Sequence, residues 1–147
     1  FFFFRFGPVV LIAVMMGVVR ANGFSDVLFF SNMVQNHIGG VHASAMNLLA
    51  ETATGMVVGM NVRDDCIPLA KEMRMAFKKR ATGGLRAVAT LTDEQRATMA
   101  ASTKGEVTVQ VTVTDEAGVN PVECEFVWAW IPSGPRQEQT AQTEQTK

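Results

Sequence analysis

The stretch from Ala43 to Met60 limits the folds open to this chain more than any other. Its residue pattern predicts one helix that is apolar on nearly every face. A helix that is apolar all round is buried, so the rest of the chain must wrap around it. Its apolar residues are Ala45, Met46, Leu48, Leu49, Ala50, Ala53, Met56, Val57 and Val58.

Glu51 is the exception within this helix. A carboxylate in apolar surroundings is costly unless it is paired, protonated or used in chemistry. Two interpretations follow for Glu51. It is either a functional acid, or a structural acid paired with an arginine or a helix end.

The segment before the helix predicts a loop that carries polar side chains. Gly39 and Gly40 permit backbone angles that other residues avoid. Asn36 and both histidines of the chain, His37 and His42, lie beside them. We expect His37 to be structural or solvated, whereas His42 either stabilises the loop or contacts a substrate.

The bulk composition predicts one globular domain. The 147 residues are 48% hydrophobic and 18% charged, which is enough for a sizeable core. The net charge of -1 argues against nucleic acid as the main partner. Cys66 and Cys124 lack metal-ligand spacing, so we expect reduced packing thiols and no metal site.

Residues 1–19 are strongly apolar, and two interpretations stay open for them. Arg5, Gly7-Pro8 and the valine content favour a helical turn followed by a first strand. The alternative is a membrane or signal segment, since the length permits a span. We expect no membrane partner, and a membrane-anchored assembly factor would rest on these residues alone.

Alternation of apolar and polar residues predicts the strands. Asn22-Gly23 predicts a hairpin between the first two of them. Asn61–Ile67 is expected to be a solvated turn, and the strand after it to be half-buried, with a charged face. A short helix from Thr92 to Ala101 is expected to begin with Thr92 or Asp93 as its cap. The predicted strands are Val14–Ala21, Ser25–Ser31, Leu69–Ala81, Leu85–Leu91, Glu106–Thr114 and Val122–Ile131.

These elements predict an α+β fold, in which about five to six mostly antiparallel strands wrap around one long central helix. We expect a single domain over residues 1–132 and a disordered polar tail over residues 133–147. The free face or edge of such a sheet needs cover, which dimerisation supplies most simply.

The spacing Asn36-x-x-Gly39-x-x-His42, with Glu51 nine residues after the histidine, resembles the signature of hotdog-fold acyl-CoA thioesterases. The likeness is to the branch of the phenylacetate-pathway and 4-hydroxybenzoyl-CoA enzymes. The strand Lys71–Ala81 looks like a second block of that family, and the resemblance extends over Val9–Ile131. Two positions depart from the pattern. Ala43-Ser44 replaces the usual Gly-Gly, and Glu51 replaces the commoner Asp.

The resemblance implies the hotdog fold and hydrolysis of an acyl-CoA thioester, with coenzyme A in the substrate and no cofactor. Glu51 would be the general base or nucleophile, and the helix start at Ala43 the oxyanion site. These two positions are eight residues apart, or roughly 12 Å along a helix, too far to touch one thioester carbon. They must therefore come from different subunits of a homodimer or a dimer of dimers, as the resemblance also implies. Gly55 and Gly59 would allow a close approach of backbone on the Glu51 face.

The remaining candidates are loop, pocket and phosphate-binding residues. Asn36 would orient the water or the thioester. The basic strand end is either a contact for coenzyme A phosphates or an ordinary solvated end. The methionines suit either an adaptable acyl pocket or plain core filling. The substrate-binding candidates are Gly39, Gly40, Met46, Phe77, Lys78, Lys79 and Arg80, with Leu49, Met73 and Met75 as further apolar lining.

Other function classes stay open beside the thioesterase. One is a hotdog protein that binds acyl-CoA or an acyl chain without hydrolysing it. Another is a hydratase or dehydratase of the same fold, but the spacing of histidine and acid typical of those sites is not found here. The expected compartment is the cytoplasm, or the mitochondrion in a eukaryotic cell.

Overall fold

The computed structural model describes residues 23–28 and 35–134. The predicted strand Val14–Ala21, its hairpin through Asn22, and residues 135–147 of the expected tail lie outside these ranges. No helix within the described ranges is long and apolar enough to span a membrane. The elements in chain order are β1 (Gly23–Leu28), α1 (Ala43–Gly59), β2 (Cys66–Phe77), β3 (Leu85–Thr90), α2 (Asp93–Ala101), β4 (Gly105–Asp115) and β5 (Val122–Pro132).

The strands form one antiparallel sheet in the order β1-β3-β4-β5-β2. Its five described strands are the lower end of the expected number. The helix α1 packs against the sheet, so the predicted α+β architecture with one central helix is confirmed. The strand β2, which follows α1 directly, lies at one edge of the sheet because the chain crosses over to reach it.

Burial explains why the apolar stretch forms α1. Ala50, Ala53, Val57 and Val58 are fully buried, and they belong to one core cluster with Phe126 of the sheet. The helix begins at Ala43 and ends at Gly59, within one residue of the prediction. Packing against the sheet therefore determines the position of the central helix.

The two tryptophans of β5 hold the two helices. The indole N–H of Trp128 donates to Thr54 Oγ1 on α1 at 3.0 Å. The indole N–H of Trp130 donates to the carbonyl of Ser102, at the end of α2, at 3.1 Å. A Cβ at Gly55 would lie 2.8 Å from the Trp128 ring. Gly55 thus admits an indole of the same chain, rather than the second backbone that the sequence suggested.

The edge strand β2 differs from its prediction in three respects. It begins at Cys66 rather than Leu69, and it includes Pro68, which an edge strand tolerates because one side of it needs no N–H donor. Only Cys66 of its 12 residues is buried, so the expectation of a half-buried strand was wrong for the single chain. The register also shifts between Ala70 and Glu72.

This shift divides the apolar residues of β2 between two faces. Met73 pairs with Phe126, whose side chain is in the core, whereas Leu69 pairs with Ala129, three residues further along β5. Positions an odd number of residues apart on a strand face opposite sides. Alternation from Leu69 to Ala81 predicts that Leu69, Met73 and Phe77 share one face. This prediction is wrong, because a bulge at Lys71 adds one residue between Leu69 and the other two.

Candidate active site

Asn36 organises the loop before α1. Its Oδ1 accepts hydrogen bonds from the amides of Ile38 at 3.1 Å and Gly40 at 3.0 Å. Its own amide donates to the carbonyl of Gly40 at 2.8 Å. Gly39 has a φ of +70°, a conformation that favours glycine. Asn36 and Gly39 together give the chain a tight turn directly before the helix.

His42 is the N-cap of α1. Its Nδ1 accepts from the amide of Ser44 at 3.2 Å, and its carbonyl accepts from the amides of Ala45 and Met46. The first turn contains no acidic residue. Among the described residues, nothing accepts the N–H of Ala43. One exposed amide at the positive end of the helix is therefore available to an anionic or carbonyl oxygen.

Glu51 lies about two turns further along the same helix and is half-buried. No hydrogen bond or ion pair joins its carboxylate to any other residue in the described ranges. The structural interpretation needs an arginine or a helix end as partner, and neither contacts Glu51 there. Three residues before it, Leu48 is 38% exposed, so the carboxylate borders an exposed apolar surface.

The basic residues after β2 have different surroundings. The Nη2 of Arg80 donates to the carbonyl of Ile38 at 2.9 Å, which joins this segment to the loop before α1. Lys78 forms an ion pair with Glu123 on β5 at 3.1 Å. The Lys79 side chain is exposed, and both lysine amides donate to the carbonyl of Pro121. Arg80 therefore lies at the loop, whereas the Lys78 ammonium is directed to the neighbouring strand.

The two apolar candidates for substrate binding, Met46 and Phe77, lie in different surroundings. Met46 is buried at 7% exposure, whereas Phe77 is 53% exposed on the edge strand. In one chain they do not share the same environment. The large apolar side chains exposed within the described ranges are Ile38, Leu48, Met56, Met60, Ile67, Leu69, Met73 and Phe77.

Most of the predicted site residues meet at the start of α1. Asn36, Gly39 and Gly40 are joined by the loop hydrogen bonds, His42 and Ala43 follow directly at the helix start, and Arg80 reaches the loop from beyond β2. Met46 is buried in the first turn of α1, where its amide donates to the His42 carbonyl. Glu51 lies further along the helix, and Phe77, Lys78 and Lys79 lie at the end of β2 or just after it. Their roles stay predictions.

Sequence reasoning missed Thr54. It is fully buried, and its hydroxyl lies 3.0 Å from the carbonyl oxygens of both Ala50 and Glu51. One feature of the sequence could have identified Thr54. A threonine on the buried face of an apolar helix, three residues after the lone acid, needs a partner for its hydroxyl.

The cysteines are free thiols in this structure. Burial raises the pKa of the Cys124 thiol to about 11, so it is neutral at physiological pH and a weak nucleophile. Cys66 is buried, and its Sγ lies 3.4 Å from the carbonyl oxygen of Thr103. Across the described ranges, no three His, Cys, Asp or Glu side chains are grouped to hold a metal ion.

Comparison with known proteins identifies relatives of the same fold. PA5026 from Pseudomonas aeruginosa, of unknown function and named a probable thioesterase, matches with a TM-score of 0.71 and 24% identity, over 80% of this chain and 82% of that one. The thioesterase HI1161 from Haemophilus influenzae matches with a TM-score of 0.66 and 11% identity, over 81% and 78%. BH2602 from Bacillus halodurans, solved with CoA, matches with a TM-score of 0.62 and 20% identity, over 73% and 66%.

At these identities the structural similarity shows the fold alone, and it confirms the expected hotdog architecture. No curated protein matches the chain. One family model matches residues 11–131, which is most of the sequence. The chain therefore belongs to the family described as domain of unknown function DUF4442, and its fold is the hotdog fold.

Proposed function

We propose that this protein is a thioesterase that hydrolyses an acyl-CoA to a carboxylic acid and free coenzyme A. One structural observation is the main support for this proposal. A half-buried carboxylate without a partner in the described ranges, Glu51, lies on the helix whose first amide, that of Ala43, also has no acceptor there. The thioesterase names of PA5026 and HI1161, and the CoA bound to BH2602, support the same chemistry.

The reaction uses one group from each of two chains, because Ala43 and Glu51 are roughly 12 Å apart along one helix. The Ala43 amide of one chain donates to the thioester carbonyl oxygen and stabilises its developing negative charge. The Glu51 carboxylate of the other takes a proton from water, and the water oxygen bonds to the carbonyl carbon. The C–S bond then breaks, Glu51 returns that proton to the leaving sulfur, and coenzyme A leaves as the free thiol. Direct attack by the carboxylate, followed by hydrolysis of the anhydride, gives the same products.

The exposed edge of the sheet supports a homodimer. The β2 strand has no neighbour on its outer side in the described ranges, and Ile67, Leu69, Met73 and Phe77 are 43–53% exposed on it. An unpaired, apolar edge strand is a ready template for another chain. Pairing of β2 with β2 of a second copy would continue the sheet and cover these side chains. Two such dimers would make the alternative assembly, a dimer of dimers.

The other site residues have supporting roles in this proposal. Asn36, Gly39 and Gly40 shape the loop that presents the Ala43 amide, and His42 caps the same turn. Lys79 and Arg80 offer positive charge to coenzyme A phosphates, with Lys78 beside them. Met46 and Phe77 contact the acyl chain, one from the core and one from the open edge.

The experiment is thiol release from acyl-CoAs of short, long and aryl type. We expect hydrolysis by the wild type and a loss of about 10²–10⁴-fold in Glu51→Gln and Glu51→Ala, as for removal of a catalytic carboxylate. Glu94→Gln in α2 is the matched control, and it should keep full activity. Size-exclusion chromatography checks that every variant has the wild-type assembly.

Two outcomes would contradict the proposal. A Glu51→Gln variant as active as the wild type would exclude Glu51 as base or nucleophile. No release from any acyl-CoA, together with ligand-dependent thermal stabilisation that survives Glu51→Gln, would favour the non-catalytic acyl-CoA or acyl-chain binding protein.

A further inference from the structure

A chain of hydrogen bonds runs from the sheet to the helical turn that carries Glu51. The indole N–H of Trp128 donates to Thr54 Oγ1 at 3.0 Å. The Thr54 hydroxyl has one proton to donate, and the carbonyl oxygens of Glu51 and Ala50 both lie 3.0 Å away. The hydroxyl thus accepts from the sheet and donates to the helix backbone at Glu51 or one residue before it.

Steric contact holds the same turn. A Cβ at Gly55 would lie 2.8 Å and 2.9 Å from two atoms of the Trp128 ring, so the indole touches the backbone of α1 directly. Trp128 is 8% exposed, and its ring is fixed by its hydrogen bond, so it has little room to move. The Trp128 ring therefore sets the distance between the sheet and the helical turn at Glu51, Thr54 and Gly55.

Trp130 provides a comparison within the same strand, because its indole N–H has a different acceptor. It lies two residues away on the same strand, is also buried, and also uses its indole N–H. Its acceptor is the carbonyl of Ser102, at the far end of α2, and its ring lies over Gly105. Trp130 is therefore a buried tryptophan of the same strand whose indole hydrogen bond goes to the end of α2 instead of the Glu51 turn.

We propose that Thr54 and Trp128 are positioning residues that hold the Glu51 turn of α1 in register with the reacting thioester. The inference rests on the proposed thioesterase function, and it adds two residues that touch no substrate. The physical reason is the steep dependence of catalysis on geometry, since a misplacement of about 1 Å can lower a rate by about 100-fold. A carboxylate that acts across a subunit boundary depends on the position of its own helix turn.

The test compares two pairs of variants. Trp128→Phe and Trp130→Phe each remove one indole N–H and the same ring volume from β5. Thr54→Val removes the hydroxyl with little change of shape, and Thr54→Ser keeps it. We expect kcat to fall roughly 10–100-fold in Trp128→Phe and Thr54→Val with KM little changed, while Trp130→Phe and Thr54→Ser stay close to wild type. All rates are measured well below the melting temperature of each variant.

A double-mutant cycle with Glu51→Gln separates positioning from a general loss of structure. If Thr54 acts through Glu51, Thr54→Val should cause no further loss of activity in the Glu51→Gln background. Equal losses in Trp128→Phe and Trp130→Phe, or additive losses in the cycle, would overturn the inference and leave the thioesterase intact. A wild type that is inactive, or active without Glu51, would overturn the proposed function and this inference with it. If Trp128→Phe does not fold, the Thr54 pair and the cycle decide the question.

Discussion

The two helices of this protein are stabilised in opposite ways. The short, exposed helix α2 carries its own signals. The Thr92 hydroxyl accepts from the amide of Gln95 while the Gln95 side chain accepts from the amide of Thr92. Asp93 and Glu94 place negative charge in its first turn. The long helix α1 has no acid in its first turn, and its cap is a histidine.

This difference indicates whether the N–H groups at each helix start can interact with a ligand. In α2 the positive end of the helix is neutralised by its own side chains. In α1 the burial of Ala50, Ala53 and Val57 stabilises the helix, so its first turn need not be optimised for stability. In the proposed function, the Ala43 amide, which has no acceptor in the described ranges, donates to the thioester oxygen.

Removal of the first amide of α1 has the largest expected effect, and removal of the first amide of α2 is its control. Ala43→Pro deletes the N–H that has no acceptor among the described residues, at the first helical position, where proline is favoured. His42 has a ψ of 135°, which suits a residue before proline. We expect kcat to fall about 10²–10³-fold, as for loss of one oxyanion donor, with the fold retained. Acyl-CoA hydrolysis and circular dichroism would measure both.

Asp93→Pro is the matched control in α2. Asp93 is likewise the first helical residue, and Thr92 before it is extended, with a ψ of 164°. We expect unchanged acyl-CoA hydrolysis there. If Ala43→Pro also kept wild-type kcat, the α1 start would not be the oxyanion site.

Two glycines test whether packing rather than helix propensity determines α1. Gly55→Ala places a Cβ against the fixed Trp128 ring, and we expect a net loss of about 1–2 kcal/mol in the free energy of unfolding. At Gly59 the nearest atom to such a Cβ is Pro68 Cγ at 3.9 Å, so Gly59→Ala should gain roughly 0.5 kcal/mol. Urea denaturation of both variants would measure the difference. Stabilisation by both substitutions would show that the sheet does not constrain α1 at Gly55.

The acidic start of α2 predicts the smallest effect, a pH dependence. A hydrogen bond from its own main-chain amide, and then one from the Thr92 hydroxyl, lowers the pKa of Glu94 below its ordinary 4.5. A lowered pKa in the folded state adds stability above pH 4.5 that is lost as the pH falls through the folded value. Glu94→Gln should therefore lower the melting temperature slightly near about pH 7 and leave it unchanged near about pH 2. A difference that persisted at the lower pH would assign the effect to something other than the charge.

The sequence predicted best those elements whose residues carry their own local signals. The bounds of α1 agree to one residue, the Thr92 cap of α2 is confirmed, and the alternating valines of β4 gave its position. The strand β2 was predicted worst. Its burial depends on its place at the sheet edge, and its faces depend on a bulge, and neither has a local signal.

The candidate site also contains one part that the sequence could predict and one part that it could not. The motif from Asn36 to Glu51 could be proposed because its glycines and lone acid conflict with their local surroundings. The contact of Arg80 with the loop, and that of Trp128 with Thr54, join residues 42 and 74 positions apart. Contacts of that separation are products of the fold and leave no periodic pattern in the sequence.

The bulge at Lys71 also has a consequence for how this strand can change over evolutionary time. The extra residue sets the parity of β2, so that Leu69 faces away from the side to which Met73 belongs. Deleting Lys71 would remove the bulge without changing the pairing of Ala70 with Trp128 or of Glu72 with Val127, so the remaining side chains would keep their faces. Deleting a residue elsewhere in β2 would exchange the faces of the side chains beside the deletion. The strand is therefore expected to accept the loss of one residue at the bulge but few changes of length elsewhere.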